Sequence, residues 1–238
     1  MALFVSVGLQ SQDYQSQIYA AYLQERMDDW KGIMESMERK FNQTNDMDLL
    51  YQLAEVEYGY IGYAISADKD KEAEQVLKQA EKHIELLLDY NNRNPRVYAL
   101  QGALYGYRLT LRPIKAPAYG KKSASANERA LQLGPNEPQA WLEKANIAYY
   151  KPAIFGGSKK DAFPLYEKAI ALYEASPERT RQNWIYLNCL AGLGIAYEKN
   201  GEFKKAGGIY RKLLKLEPSF SWVRDDLYPR YMKNHSGN

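Results

Sequence analysis

The stretch from Leu190 to Pro218, LAGLGIAYEKNGEFKKAGGIYRKLLKLEP, constrains the fold more than any other part of the chain. A first set of residues falls at positions i, i+3, i+4 and i+7, which form one face of a helix: Leu190, Leu193, Gly194 and Tyr197. A second set follows at intervals of three and four after a break at Gly201: Phe203, Ala206, Tyr210 and Leu213. Pro218 cannot continue that second helix because it lacks an amide hydrogen. The pattern therefore predicts two antiparallel helices that cross closely where Gly194 and Ala206 leave room.

The same spacing resembles the tetratricopeptide repeat (TPR), a helix-turn-helix unit of about 34 residues. The matching positions agree in residue type and in register: Leu193, Gly194, Tyr197, Gly201, Ala206, Tyr210, Leu213 and Pro218. Leu190 stands where the family often has Trp. The resemblance implies an all-α fold, a right-handed superhelical solenoid of helical hairpins that ends in a capping helix.

About five such hairpins can be aligned along the chain. The first pairs a helix over residues 13–25 with a second helix that carries Trp30. The second covers residues 50–90, the third opens after Pro95, and the fourth starts at Pro138. The stretch from Leu190 to Pro218 is the fifth and the most regular.

A C-terminal capping helix is expected from Ser221 to about Tyr228, and Pro229 is expected to end or kink it. We therefore expect a single TPR-like helical repeat domain over residues 13–233 and a disordered tail over residues 234–238.

Two segments interrupt the repeat pattern. Pro113–Lys122 holds two prolines and a glycine, so it is not expected to form continuous helix. Lys151–Ser158 stands where an ordinary hairpin needs only a short turn, and it resembles a loop of some bacterial TPR proteins, including exported ones. Its Gly156–Gly157 pair permits positive backbone angles, and Ser158 can cap the next helix. The same amides could bind an anion, but we favour a purely structural corner.

Composition fits a folded binding protein. The chain has 238 residues, of which 45% are hydrophobic and 13% aromatic, unlike a disordered sequence. It carries 21 Tyr against 6 Phe, which favours half-buried surfaces where a ring packs and its hydroxyl meets water or a partner. Residues 1–119 have net charge −4 and residues 120–238 have +7. The basic half could attract an acidic partner, although a solvated outer face also explains it.

The sequence gives little support for a catalytic or metal-binding site. Cys189 is the only cysteine, which excludes an intramolecular disulfide framework, and it is expected to be a small core residue. With only His83 and His235 there is no histidine cluster for a metal, and no motif fixes a nucleophile, cofactor or phosphate. A basic stripe interleaved with aromatic residues is also missing from the pattern, so nucleic-acid binding is not predicted.

The first residues, 1–12, resemble the second half of an export signal. They are apolar and place Ser6 and Gly8 at small-x-small spacing, while the first basic residue is Arg26. We therefore expect a periplasmic or exported protein; the alternative is an apolar N-terminal segment of a cytoplasmic one. No apolar run is long enough to predict a membrane-spanning helix.

The TPR resemblance also implies which residues face a binding groove, because the first helix of each hairpin lines the concave side in that family. Carrying the register over gives ten positions: Tyr51, Glu55, Tyr58, Tyr107, Asn146, Tyr149, Tyr150, Asn188, Glu198 and Lys199. Such a tyrosine and amide surface suits an extended or helical peptide. A Lys-Asn-Lys-Arg clamp for a terminal carboxylate is not found in this register, so binding of chaperone tails is not predicted.

The sequence thus favours a non-catalytic scaffold that binds a protein or peptide along the concave face. The alternative is a ligand-binding accessory protein of an exported transport system, in which the two loop insertions close a cavity over a small molecule. Repeat scaffolds bind many different partners, so the pattern implies a class of activity without naming the partner.

Overall fold

A computed structural model describes residues 4–235, and within that range the regular structure is helical. The twelve α-helices of this range are α1 (Phe4–Leu23), α2 (Met27–Thr44), α3 (Met47–Ser66), α4 (Asp70–Tyr90), α5 (Pro95–Leu111), α6 (Ala116–Leu133), α7 (Pro138–Tyr150), α8 (Lys159–Glu174), α9 (Pro177–Thr180), α10 (Trp184–Lys199), α11 (Phe203–Leu216) and α12 (Tyr228–His235). Short 3-10 turns cover Pro113–Lys115 and Ala153–Phe155, and a π-helical turn covers Trp222–Leu227. The fold is therefore all-α over the described residues, as the sequence predicts.

The chain forms two compact units, and one boundary between them falls within α7. The first unit combines residues 4–27 with residues 148–235, and the second consists of residues 28–147. In the second unit α3 packs on α4 and α5 packs on α6, and α5 also contacts α3 and α4. In the first unit α10 packs on α11, α8 packs on α10, and α1 also packs on α10. The predicted first hairpin is divided, because α1 belongs to the first unit and α2 to the second.

The hairpin expected over Leu190–Pro218 is present as α10 and α11. The predicted packing residues Leu190, Tyr210 and Leu213 are fully buried between helices of the first unit. A Cβ on Gly194 would lie 2.7 Å from Cε1 of Tyr210, so only glycine lets these two helices approach so closely. Gly201 has φ +80°, a left-handed conformation that glycine adopts without strain between the helices.

Side chains that accept amide hydrogens begin several helices. The N-cap residues that do so are Asp46, Asn94, Ser158 and Asn183, ahead of α3, α5, α8 and α10. The prediction that Ser158 caps a helix is confirmed, since its Oγ accepts from the amide of Asp161 at 3.2 Å.

The first predicted interruption is shorter than expected. Within Pro113–Lys122 only a 3-10 turn separates α5 from α6, and α6 already begins at Ala116. Pro117 lies in the first turn of α6, where backbone amides have no partner within the helix and a proline therefore costs nothing. Pro113–Lys122 is therefore not one continuous helix, as expected, but the interruption is confined to the start of the segment and residues 116–122 are helical.

The C-terminal cap also extends further than expected. Pro229 does not end it, because the preceding π-helical turn closes with a hydrogen bond from the amide of Tyr228 to the carbonyl of Val223, and α12 then continues to His235. The ring of His235 stacks on Phe203 with centroids 3.9 Å apart. Residues 234 and 235 of the expected tail are therefore helical, and residues 236–238 lie outside the described range, as do residues 1–3 of the expected export signal.

A buried polar pair lies in the second unit between α3 and α4. His83 and Glu57 are each 3% exposed, and Nδ1 of His83 lies 2.9 Å from Oε2 of Glu57. On the other side of the ring Nε2 of His83 lies 3.1 Å from the amide nitrogen of Gln79, which also donates to Glu38. Because the Gln79 amide donates, His83 must accept at Nε2 and carry its proton on Nδ1, where it donates to Glu57. Burial raises the pKa of Glu57, and the hydrogen bond from His83 opposes that rise.

The loop Lys151–Ser158 is a tightly built corner. Gly156 has φ +87°, and its amide donates to the carbonyl of Ala153. The next two amides also donate within the first unit, Gly157 to Pro152 at 3.2 Å and Ser158 to Ala148 at 2.9 Å. Since these amides are already used, the corner is structural and does not hold an anion through them.

Replacing Gly157 by Ala is expected to destabilise the first unit by about 1–3 kcal/mol. The added Cβ would lie 1.7 Å from the carbonyl oxygen of Lys151, which is backbone and cannot swing away. Thermal unfolding followed by circular dichroism measures the effect. The matched control is Gly192→Ala in α10, where a Cβ meets nothing within 4 Å and helix propensity should add about 0.5–1 kcal/mol. Equal stability of the two variants would contradict this account of the corner.

Candidate functional site

The ten predicted groove residues fall into both units. Five belong to the second unit: Tyr51, Glu55, Tyr58, Tyr107 and Asn146. Five belong to the first: Tyr149, Tyr150, Asn188, Glu198 and Lys199. The residues of the two groups differ in exposure to solvent.

In the second unit, Tyr51 is part of a polar network rather than an open surface. Its ring is 7% exposed, and its hydroxyl donates to Glu55 at 2.7 Å and lies 3.4 Å from Oε1 of Gln139. The guanidinium of Arg96 lies 4.1 Å from the ring centroid of Tyr51 and 3.4 Å from the carboxylate of Glu55. Burial raises the pKa of Glu55, and the positive charge of Arg96 opposes that rise.

A second network surrounds Glu143 on α7. The carboxyl group accepts from the hydroxyl of Tyr58 at 3.2 Å and from the side-chain amide of Asn146 at 3.1 Å. Glu143 is 4% exposed, and its burial raises its pKa to about 7 against hydrogen bonds that lower it. Tyr107 stacks on Tyr58 with ring centroids 5.4 Å apart. The polar groups of this cluster therefore satisfy one another inside the unit.

Gln139 has one polar atom without a partner. Its side chain is 3% exposed, and its Nε2 makes no hydrogen bond within the described residues. Exchanging the amide oxygen and nitrogen would let the amide donate to the hydroxyl of Tyr51, whose own proton goes to Glu55, but it would leave the amide oxygen without a partner. A buried amide in this state carries a desolvation cost, so the polar interior of this unit is not fully satisfied by protein groups.

In the second unit the predicted groove positions share polar networks with residues that the TPR register does not include. Gln139, Glu143 and Arg96 were not predicted. A signal was present on α7, where polar residues recur at the spacing of one helix face: Gln139, Glu143, Asn146 and Tyr150.

In the first unit, α1 covers the face of α10 that carries Asn188. The hydroxyl of Tyr22 lies 3.4 Å from Oδ1 of Asn188, and its ring packs against Trp184 and Phe220 at 5.6 and 5.1 Å. Ser221 donates to the carbonyl of Leu23 at 3.0 Å, which holds the end of α1. Asn188 is thus in contact with the first helix of its own chain.

Glu198 also has a structural environment. It accepts from the hydroxyl of Tyr210 at 2.8 Å, and Nε2 of His235 lies 3.5 Å from its carboxylate. These contacts join α10, α11 and α12. Lys199, the next residue, is exposed.

The end of α7 presents aromatic surface to solvent. Tyr150 is 75% exposed, and the half-buried ring of Tyr149 meets it edge to face with centroids 5.0 Å apart. The ammonium of Lys159 lies 5.8 Å from the Tyr149 ring centroid. Burial raises the pKa of Tyr149, and the side chain of Asn200, next to Lys199, opposes that rise. We call Tyr149, Tyr150, Lys159 and Lys199 the α7-end patch. It combines exposed aromatic surface with positive charge.

Residues 4–235 offer neither a cluster of metal ligands nor a helix suited to span a membrane. No three His, Cys, Asp or Glu side chains of this range come together in a way that could hold a metal ion. None of the helices described is both long enough and apolar enough to cross a membrane.

No family model and no curated protein matches the sequence. Solved structures do match the fold. The chain is similar to the HusA haemophore from Porphyromonas gingivalis, with 21% identity and a TM-score of 0.62 over 79% of this chain and 93% of that one. It is also similar to TTC0263, a thermophilic TPR protein of Thermus thermophilus, with 18% identity and a TM-score of 0.59 over 92% and 97% of the two chains. The predicted all-α, TPR-like helical repeat fold is confirmed.

Proposed function

We propose that this TPR-like protein is a non-catalytic scaffold that binds a peptide segment of a protein partner, and that the α7-end patch makes the main contact. The observation that carries the proposal is the 75% exposure of Tyr150 beside the ring of Tyr149. Large exposed aromatic side chains are common anchors of protein interfaces, because they provide contact area at a low cost in side-chain entropy.

The chemistry of the partner follows from the charges around these rings. Lys159 lies beside the ring of Tyr149, Lys199 is exposed in the same unit, and Ile154 in the following loop is 85% exposed. Such a surface suits a segment that combines apolar or aromatic side chains with Asp or Glu, because the lysines attract acidic residues and the rings and Ile154 pack against apolar ones.

The buried groove residues are assigned a different role in this proposal. Tyr51 and Tyr58 are 7% and 5% exposed and bonded within their own unit, so they shape the interior of the repeat rather than contact a partner. Asn188 is a poor test position as well, because its replacement would disturb the packing of Tyr22.

Selection from a phage-displayed library of random peptides tests the proposal. We expect enriched peptides that combine aromatic and acidic residues, and at least about tenfold weaker binding of these peptides by Tyr150→Ala. Tyr150→Phe should retain most of the affinity because the ring remains.

The matched control is Tyr90→Ala, since Tyr90 is 71% exposed at the end of α4 in the other unit. It should bind the selected peptides as the unmodified protein does. The proposal fails if no peptide is enriched, or if Tyr150→Ala and Tyr90→Ala bind equally well.

A further inference from the structure

A cleft of about 400 Å³ lies within the first unit, away from the residues of the α7-end patch. Its walls come from the C-terminal part of α1, the segment from the end of α8 through α9, the start of α10 and the end of α11. This volume lies in the range of small-molecule sites. Neither predicted loop insertion contributes a residue to its described lining.

Two tyrosine–carboxylate pairs line this cleft. The hydroxyl of Tyr19 donates to Oε1 of Glu217 at 2.6 Å, and the hydroxyl of Tyr186 donates to Oε1 of Glu174 at 2.6 Å. Both rings are buried, at 8% and 3% exposure, and burial raises the pKa of each hydroxyl. The hydroxyls therefore remain protonated donors, and they hold the two carboxylates in fixed orientations.

Each carboxylate has one oxygen left for a ligand. Within the described residues, the hydrogen bonds of Glu217 and Glu174 involve Oε1, and none involves Oε2. Lys212 is the cationic residue among those lining the cleft, and its ammonium is paired with Glu174. Two carboxylates against one ammonium leave the cleft with an excess of negative charge.

The remaining wall is apolar. Leu187 is 2% exposed and Leu216 is 45% exposed, and both line the cleft beside Pro177. An apolar wall next to two oriented carboxylates suits a molecule with a positively charged group on a hydrocarbon body, and it disfavours anions.

We propose that this cleft binds a small organic cation, with an ammonium or guanidinium group on the carboxylates of Glu174 and Glu217 and an apolar stem against Leu187 and Leu216. The site is independent of the α7-end patch, so the two proposals can fail separately.

Isothermal titration calorimetry of the full chain at low ionic strength tests this inference with three probes of the same length: hexylammonium, hexanol and hexanoate. Hexylammonium should bind, and the other two should bind at least about tenfold more weakly, because only the cation gains charge-assisted hydrogen bonds. Glu217→Gln should weaken hexylammonium by about tenfold or more while still accepting from Tyr19.

Lys212→Met should change the affinity for hexylammonium in the opposite direction. It removes the ammonium that competes for Glu174, so it should strengthen hexylammonium binding several-fold, which loss of structure could not do. The matched control is Glu167→Gln, because Glu167 accepts from Tyr197 as Glu217 does from Tyr19 but does not line the cleft. It should leave the affinity within about twofold.

The inference is overturned if hexylammonium gives no heat of binding at millimolar concentration, or if hexanoate binds as well as hexylammonium. Weaker binding by Lys212→Met would also overturn it. Should Glu217→Gln not fold, the three probes and Lys212→Met still decide the question.

Discussion

Replacing His83 by Leu is expected to lower the free energy of unfolding of the second unit by about 3–5 kcal/mol. The substitution removes the one hydrogen-bond donor to Glu57 found at that buried carboxylate among the described residues. Glu57 would then have to remain ionised without a partner or take up a proton. Native-state hydrogen exchange of the α3 and α4 amides measures the loss in this unit directly.

The pH dependence of that loss has a definite sign. Burial already raises the pKa of Glu57, and without His83 the pKa would rise further. Above its raised pKa the buried carboxyl group is ionised, which destabilises the folded state. The stability lost in His83→Leu should therefore be larger at pH 8 than at pH 5. The double variant Glu57→Leu/His83→Leu should recover most of the stability, because neither member of the pair is then left buried without the other. If His83→Leu lowers the free energy of unfolding by less than about 1 kcal/mol at both pH values, the pair does not stabilise the unit as proposed.

Replacing Glu143 by Gln is expected to stabilise the second unit by roughly 3 kcal/mol at pH 8. Its pKa is raised from an ordinary value of 4.5 to about 7 by burial, so the folded protein must lose a proton that it binds more tightly than the unfolded chain does. Stability of the unmodified protein should therefore fall as the pH rises from about 4.5 to 7. Glutamine has no proton to lose and keeps the hydrogen-bond geometry, because its amide can donate to Tyr58 and accept from Asn146.

Chemical denaturation between pH 4 and pH 8 tests the Glu143 prediction. The two proteins should be equally stable near pH 4 and should diverge as the pH rises. Glu128→Gln is the control, since Glu128 is an exposed glutamate of the same unit and its replacement should leave the pH profile unchanged. A parallel profile for Glu143→Gln and the unmodified protein would contradict the proposed burial effect, and a titration of Glu143 by NMR would then give its pKa directly.

The repeat fold could be predicted where the determinants are local. The stripes of α10 and α11, the glycine at their crossing and the cap at Ser158 are each decided by residues within one hairpin, and all are confirmed. Pro117 and Pro229 lie within helical segments for a local reason of another kind. A proline is tolerated in a first helical turn or after a π-helical turn, and sequence spacing alone does not reveal either context.

The candidate site was less predictable, because exposure depends on contacts between distant segments. The register identified Tyr51, Tyr58 and Tyr150 on equivalent helix faces, yet the first two are buried and the third is exposed. The hydroxyls of Tyr51 and Tyr58 contact Gln139 and Glu143 on α7. These two residues lie more than 80 positions later in the sequence than the tyrosines that they contact. No single-hairpin pattern contains that information.

The placement of α1 also has a consequence for the order in which the chain can mature during synthesis. Residues 28–147 form one uninterrupted unit, whereas α1 needs Asn188, Phe220 and Ser221 before its packing surface exists. At a translation rate of about 5–20 residues per second, α1 would leave the ribosome roughly 10–40 seconds before those residues do. Residues 28–147 can therefore complete their core before α1 meets its packing partners on α10 and after α11. During that interval the ring of Tyr22 lacks Trp184 and Phe220, the aromatic side chains that it packs against in the folded unit.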